Sequence, residues 1–132
     1  MIQEHPEVPV MQVDELRRML DQGAPVQVLD VRPADERAEW SIPGSTHRDA
    51  YQALRAGDPS ALEGLVLKAD EPLVVVCARG RTSAIATRLL RARGYDAYSL
   101  EGGMKAWSLA WNSAELAAGA QTLIQLRRTG KG

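Results

Sequence analysis

The chain has 132 residues, of which 45% are hydrophobic and 25% charged, and its formal net charge is -1. That is the size of one compact domain, with enough apolar material for a core that needs neither disulfide nor metal. A charge balance so close to zero argues against a general nucleic-acid binder.

One cysteine, Cys77, cannot close an internal disulfide. The longest apolar run, Leu73 to Ala78, has the length of a strand and not of a membrane span. The opening residues Met1-Ile2-Gln3-Glu4-His5-Pro6 lack the basic start and apolar core of a signal peptide, so the cytoplasm is the expected compartment. His5 and His47 lie far apart and read as plain surface or loop residues, so no metal site is expected.

Val8 to Val13 predicts a first strand, and Asp14 stands where a helix N-cap belongs. Leu16, Met19 and Leu20 give that helix one apolar face, which Gly23 ends. Val26 to Val31 reads as a buried strand, and Pro33 suits the first turn of a short helix running to about Trp40. Ile42-Pro43-Gly44-Ser45 breaks regular structure. Beyond it, Asp49 to Arg55 and Pro59 to Leu65 predict two short helices separated by Gly57.

Leu73 to Val76, with three consecutive valines, is the clearest strand. From Thr82 to Arg93 the apolar positions Ile85, Leu89 and Leu90 follow helical spacing, and Gly94 closes the helix. Ala97 to Leu100 predicts a further strand, followed by Gly102-Gly103 and a helical turn through Trp107. Past Trp111 the composition changes. Ala114 to Ala120 reads as helical, and Gln121 to Arg128 as an extra strand or linker. Strands alternating with helices predict an α/β domain built on a mainly parallel sheet.

In open α/β sheets, ligands bind beyond the carboxyl ends of the strands. Cys77 stands at that end of the best strand, in the segment Cys77-Ala78-Arg79-Gly80-Arg81-Thr82-Ser83 that leads into a helix. A short turn relaxed by a glycine can aim several N–H groups at one point. The helix N-terminus and the charges of Arg79 and Arg81 add positive potential. Such a place favours an anionic cysteine and can hold an anion. The same residues also fit a small buried cysteine beside two solvated arginines; the coincidence of strand end, glycine loop, arginines and helix start weighs against that.

This segment resembles the active-site loop of the rhodanese family, with cysteine first, glycine fourth and small hydroxyl residues at the helix entry. Val28-Leu29-Asp30-Val31-Arg32, followed by Ile42-Pro43-Gly44, is similar to a second motif of that family. Leu100-Glu101-Gly102-Gly103-Met104-Lys105-Ala106-Trp107 is similar to a third. The three occur in the family's order and the resemblance covers residues 8–111, leaving 112–132 as an extension or linker. Trp40-Ser41 departs from the pattern, where the family often has Gly-His. Asp30 and Arg32 are expected to fix neighbouring loops, and Trp107 to belong to the core.

The resemblance implies a rhodanese-like fold, a central mainly parallel sheet with helices on both faces. It implies a sulfurtransferase in which Cys77 is the nucleophile and carries sulfane sulfur as a persulfide. Ala78, Arg79, Gly80, Arg81, Thr82 and Ser83 would bind the substrate. The donor would be thiosulfate or a small persulfide, and the acceptor cyanide, glutathione or a protein thiol, with no cofactor and neither nucleic acid nor membrane as partner. A cysteine phosphatase on this scaffold needs an arginine six residues after the nucleophile, where this chain has Ser83. A non-catalytic docking module of the family typically lacks the cysteine. The ending Leu123-Ile124-Gln125-Leu126-Arg127-Arg128-Thr129-Gly130-Lys131-Gly132 also resembles the lead-in to the dioxygenase domain of persulfide dioxygenase fusions, with a natural C-terminus as the alternative.

Overall fold

The computed structural model describes residues 8–110. In chain order they form β1 (Val10–Met11), α1 (Val13–Asp21), β2 (Gln27–Asp30), α2 (Ala34–Glu39), β3 (Thr46–His47), α3 (Tyr51–Arg55), β4 (Leu73–Val76), α4 (Arg81–Ala92) and β5 (Ala97–Leu100). A last helical segment covers residues 103–110. The five strands make one sheet in the order β1-β5-β4-β2-β3, with every neighbouring pair parallel.

A central strand of a parallel sheet is covered on both faces, so every side chain of β4 must be apolar. All four are buried. Successive side chains point to opposite faces, and the two cores divide accordingly. Leu73, Val75 and Cys77 join Leu29, Leu54 of α3, and Ala86 and Leu90 of α4. Val74 and Val76 join Val28, Leu16 of α1, Met104 and Trp107. Helices therefore cover both faces, as expected, and Trp107 is a core residue.

Several boundaries differ from expectation. Asp14 lies in the first turn of α1; Gln12 holds the N-cap position. Pro33 sits one place earlier than expected, at the N-cap position of α2, whose first N–H is taken by Asp49 Oδ2 at 3.1 Å. No helix forms over Pro59 to Leu65. The Ser60 hydroxyl and N–H both donate to the Asp58 carboxylate, and the backbone closes only short turns from Ala61 to Asp58 and from Glu63 to Ser60. Those two bonds, the hydroxyl's first, hold the Asp58 carboxyl below its ordinary value.

His47 is not a plain loop residue. It belongs to the short edge strand β3, opposite Asp30, and its ring Nε2 lies 2.8 Å from the carbonyl of Arg32. In α4 the fully buried face is Thr82, Ser83, Ala86, Thr87 and Leu90, with Ile85 and Leu89 only half-buried. Small residues there let the helix lie close against the sheet, which apolar spacing alone does not reveal. The expectations for His5, for residues 114–120 and 121–128, and for the boundary beyond Trp111 lie outside the described residues.

Candidate active site

β4 ends at Val76, so Cys77 is the first residue past the carboxyl end of the central strand. It continues the strand's alternation inward and is 4% exposed. The chain then turns through Ala78, Arg79 and Gly80 before α4 begins at Arg81. Gly80 has φ of 102°, a conformation that L side chains rarely adopt. In that conformation its N–H donates to Cys77 Sγ at 3.0 Å. From the buried side, the Cys77 thiol reaches Ser83 Oγ at 3.3 Å, and Ser83 Oγ lies 2.7 Å from Ser99 Oγ of β5.

The loop is braced from outside by the start of the segment 103–110. The first N–H groups of a helix have no partner within it. Here Met104 N–H donates to the Cys77 carbonyl at 2.8 Å and Lys105 N–H to the Ala78 carbonyl at 3.0 Å. In a trans peptide the N–H points opposite to the C=O, so the N–H groups of Ala78 and Arg79 face away from that segment. This approach requires Gly103, because a Cβ there would collide with the Cys77 carbonyl.

Above the sulfur lies an open cleft of about 370 Å³. Cys77, Ala78, Arg79, Arg81 and Thr82 line one side. Glu36 of α2, with Tyr51 and Arg55 of α3, lines the other. Arg79 and Arg81 are exposed, and neither side chain pairs with another described residue. Among the described residues Arg55 donates only to its neighbour Tyr51, at 3.1 Å. Three cationic side chains thus face one carboxylate around a sulfur that already accepts an N–H bond. A small anion would find its countercharge here without displacing an existing ion pair.

The residues expected to form the site are therefore close together, in different positions. Ala78, Arg79, Arg81 and Thr82 face the cleft with Cys77. Gly80 acts through its backbone, and Ser83, fully buried, lies behind the sulfur. Sequence reasoning missed Glu36, Tyr51, Arg55 and Ser99. The first three arrive from α2 and α3, with no local mark of what they face. Ser99 does carry a signal, as a polar residue at an inward position of a strand within the sheet.

Asp30 and Arg32 lie beside the site and are both buried. Arg32 Nε and its Nη2 donate to Asp30 Oδ1 and Oδ2 at 3.0 and 2.8 Å. Its Nη2 also donates to the Trp40 carbonyl at 2.7 Å. The pair ties β2 to the end of α2, the architectural role expected of it. Trp40, where the family pattern departs, packs against the second core. Among the described residues, no group of three or more His, Cys, Asp or Glu could hold a metal ion. Nor is any helix among them long and apolar enough to cross a membrane.

Residues 12–110 match the family model described as Rhodanese-like domain. The chain belongs to the rhodanese-like family. It is similar to the thiosulfate sulfurtransferase GlpE of Pseudomonas aeruginosa, at 36% identity over 95 residues, covering 71% of this chain and 78% of that protein. It is 38% identical over 100 residues to the Zea mays adenylyltransferase and sulfurtransferase MOCS3-2, covering 70% of this chain but only 20% of that protein. The chain thus spans about a fifth of that relative's length. Among solved structures, the human single-domain sulfurtransferase TSTD1 superposes with a TM-score of 0.58 at 28% identity, over 76% of this chain and 96% of that one.

Proposed function

We propose that this rhodanese-type sulfurtransferase carries sulfur as a persulfide on Cys77, from an anionic sulfane donor to a thiophilic acceptor. The supporting observation is the setting of Cys77 Sγ. It accepts the Gly80 N–H at 3.0 Å beside a cleft whose arginines, Arg79 and Arg81, have no partner among the described residues. Thiosulfate or a small persulfide fits that charge as donor. The name of the Pseudomonas relative supports thiosulfate.

In the first step a lone pair of the Cys77 thiolate attacks the donor's outer sulfur. The new Sγ–S bond forms as the donor's S–S bond breaks, and that electron pair leaves with sulfite when the donor is thiosulfate, or with the thiolate when it is a small persulfide. In the second step cyanide, glutathione or a protein thiol attacks the outer sulfur, and the Sγ–S electron pair returns to Cys77 as thiolate. This is covalent nucleophilic catalysis, with fixed N–H donors stabilising the sulfur anion. Neither step calls for a metal or organic cofactor, because the electron pairs pass directly between sulfur centres and the acceptor. Residues 8–111 would form the catalytic unit, with 112–132 an extension or linker. A reducing compartment such as the cytoplasm suits a free catalytic thiol.

Intact-mass spectrometry tests the reading. After incubation with thiosulfate the protein should gain one sulfur atom, and cyanide should remove it with formation of thiocyanate. Cys77→Ser should show neither event while retaining its fold. Substantial transfer by that variant at matched protein concentration would overturn the assignment.

A further inference from the structure

β5 lies beside β4, and its residues alternate between the two cores. Leu100 and Tyr98 belong to the side covered by α1, and Ala97 to the side covered by α3 and α4. Ser99, in register with Val75, shares the face of Ala97. Its hydroxyl is therefore directed into the layer beneath α4, where Ser99 is 3% and Ser83 0% exposed. A buried hydroxyl is costly unless it is hydrogen-bonded. Among the described residues, Ser99 Oγ has one hydrogen-bond partner, Ser83 Oγ at 2.7 Å, and Ser83 Oγ in turn meets Cys77 Sγ at 3.3 Å.

We propose that Ser99, outside the loop that carries the nucleophile, is a positioning residue whose hydroxyl turns that of Ser83 toward the Cys77 thiolate. The inference rests on the reading of Cys77 as the sulfur carrier. Each serine hydroxyl has one proton to donate, whereas a thiolate can only accept. When Cys77 is a thiol, its S–H donates to Ser83, which passes its own proton toward Ser99. When Cys77 is a thiolate, the order reverses: Ser99 donates to Ser83, and Ser83 donates to the sulfur. Each bond in such a chain polarises the next, so Ser99 strengthens a bond it does not itself make.

The two hydroxyls favour one state of the sulfur over the other. In the persulfide the negative charge moves to the outer sulfur, while Sγ, now bonded to it, is neutral. The Ser99–Ser83 chain therefore stabilises the free thiolate more than the loaded form. The thiolate is the leaving group of the second step, so that step gains most. Binding of the donor gains nothing, because Ser99 does not line the cleft above the sulfur. The charged and polar groups that do line it are Glu36 of α2, Tyr51 and Arg55 of α3, Arg79 of the loop, and Arg81 and Thr82 of α4. They are unchanged by substitution at position 99, so a difference between variants reports the hydroxyl.

The test compares the parent protein with Ser99→Ala and Ser99→Thr. Loading by thiosulfate is followed by intact mass, discharge by cyanide, and iodoacetamide alkylation as a function of pH. The loss of one such bond predicts roughly tenfold slower discharge in Ser99→Ala. The midpoint of its alkylation profile should move up by about half to one pH unit. Measured above both alkylation midpoints, kcat/KM for thiosulfate should not fall, and Ser99→Thr, which keeps the hydroxyl, should restore both properties. A merely structural serine would lower thermal stability without moving the pH midpoint. If the parent never gains a sulfur, the reading of Cys77 fails. If the parent loads normally and Ser99→Ala shares its midpoint and discharge rate, the role of Ser99 is overturned. Should Ser99→Ala not fold, Ser83→Ala interrupts the same chain, and a parental pH profile there would overturn the role equally.

Discussion

Gly80 and Gly103 both have positive φ, yet they constrain the site in different ways. A Cβ on Gly80 would come no closer than 3.6 Å to any heavy atom, so an alanine there would suffer mainly from its φ of 102°. A Cβ on Gly103 would run into the backbone of Cys77 and Ala78, and φ at that position is also positive, at 61°. Backbone cannot swing aside as a flexible side chain can. Gly103→Ala should therefore push the loop off the two N–H groups of Met104 and Lys105, lowering denaturant midpoint and sulfur transfer together. Gly80→Ala should cost only about 1–2 kcal/mol of stability, the price of a left-handed conformation. Its loss of transfer rate should exceed that of stability, since its N–H meets the sulfur. Equal midpoints for the two variants would show that the loop tolerates retreat from Gly103.

At the scale of elements, legibility followed local periodicity. Leu73 to Val76 was readable as a buried central strand because a parallel strand covered on both faces has no polar position. Cys77 stands out as a candidate because it follows that strand where a helix is about to start. What escaped was set by tertiary approach. Thr82, Ser83 and Thr87 are buried in α4 because that helix packs tightly against β4 and β5, and no apolar spacing marks them. β3 is two residues long and owes its existence to pairing beside β2. Asp30 and Arg32 show how a short motif can be read for role without being read for partners. Their architectural role was expected; their bond to each other and the Arg32 bonds to the carbonyls of Trp40 and Glu36 were not. Asp30→Ala would remove the carboxylate that pairs with the buried Arg32 guanidinium. Removing one partner of a buried pair costs about 3–5 kcal/mol. Urea unfolding should show a loss of that order, and a loss below about 1 kcal/mol would mean that the pair relaxes into solvent.

At the scale of the whole molecule, the near-neutral net charge conceals a local imbalance. The chain carries 16 basic and 17 acidic residues, yet among the described residues the cleft over Cys77 gathers Arg55, Arg79 and Arg81 against Glu36 alone. α2, α3 and the start of α4 converge there from separate parts of the sequence, so the imbalance is a product of the fold. Charges at a cleft mouth steer small anions, and added salt screens them over about 8–10 Å. Arg81→Ala should raise the KM for thiosulfate several-fold and flatten its dependence on ionic strength. Glu36→Gln removes the opposing charge, so it should lower that KM and steepen the salt dependence. The two substitutions lie on opposite walls and leave the Cys77–Gly80 contact alone, so the single-turnover transfer rate at saturating donor should change little in either. Steady-state kinetics in thiosulfate at several salt concentrations reads all of these quantities. The opposite signs separate a steering field from incidental damage, which would raise KM in both variants. If KM and its salt response were unmoved in both, the arginines would be solvated surface charges and the donor would be held by the loop backbone alone.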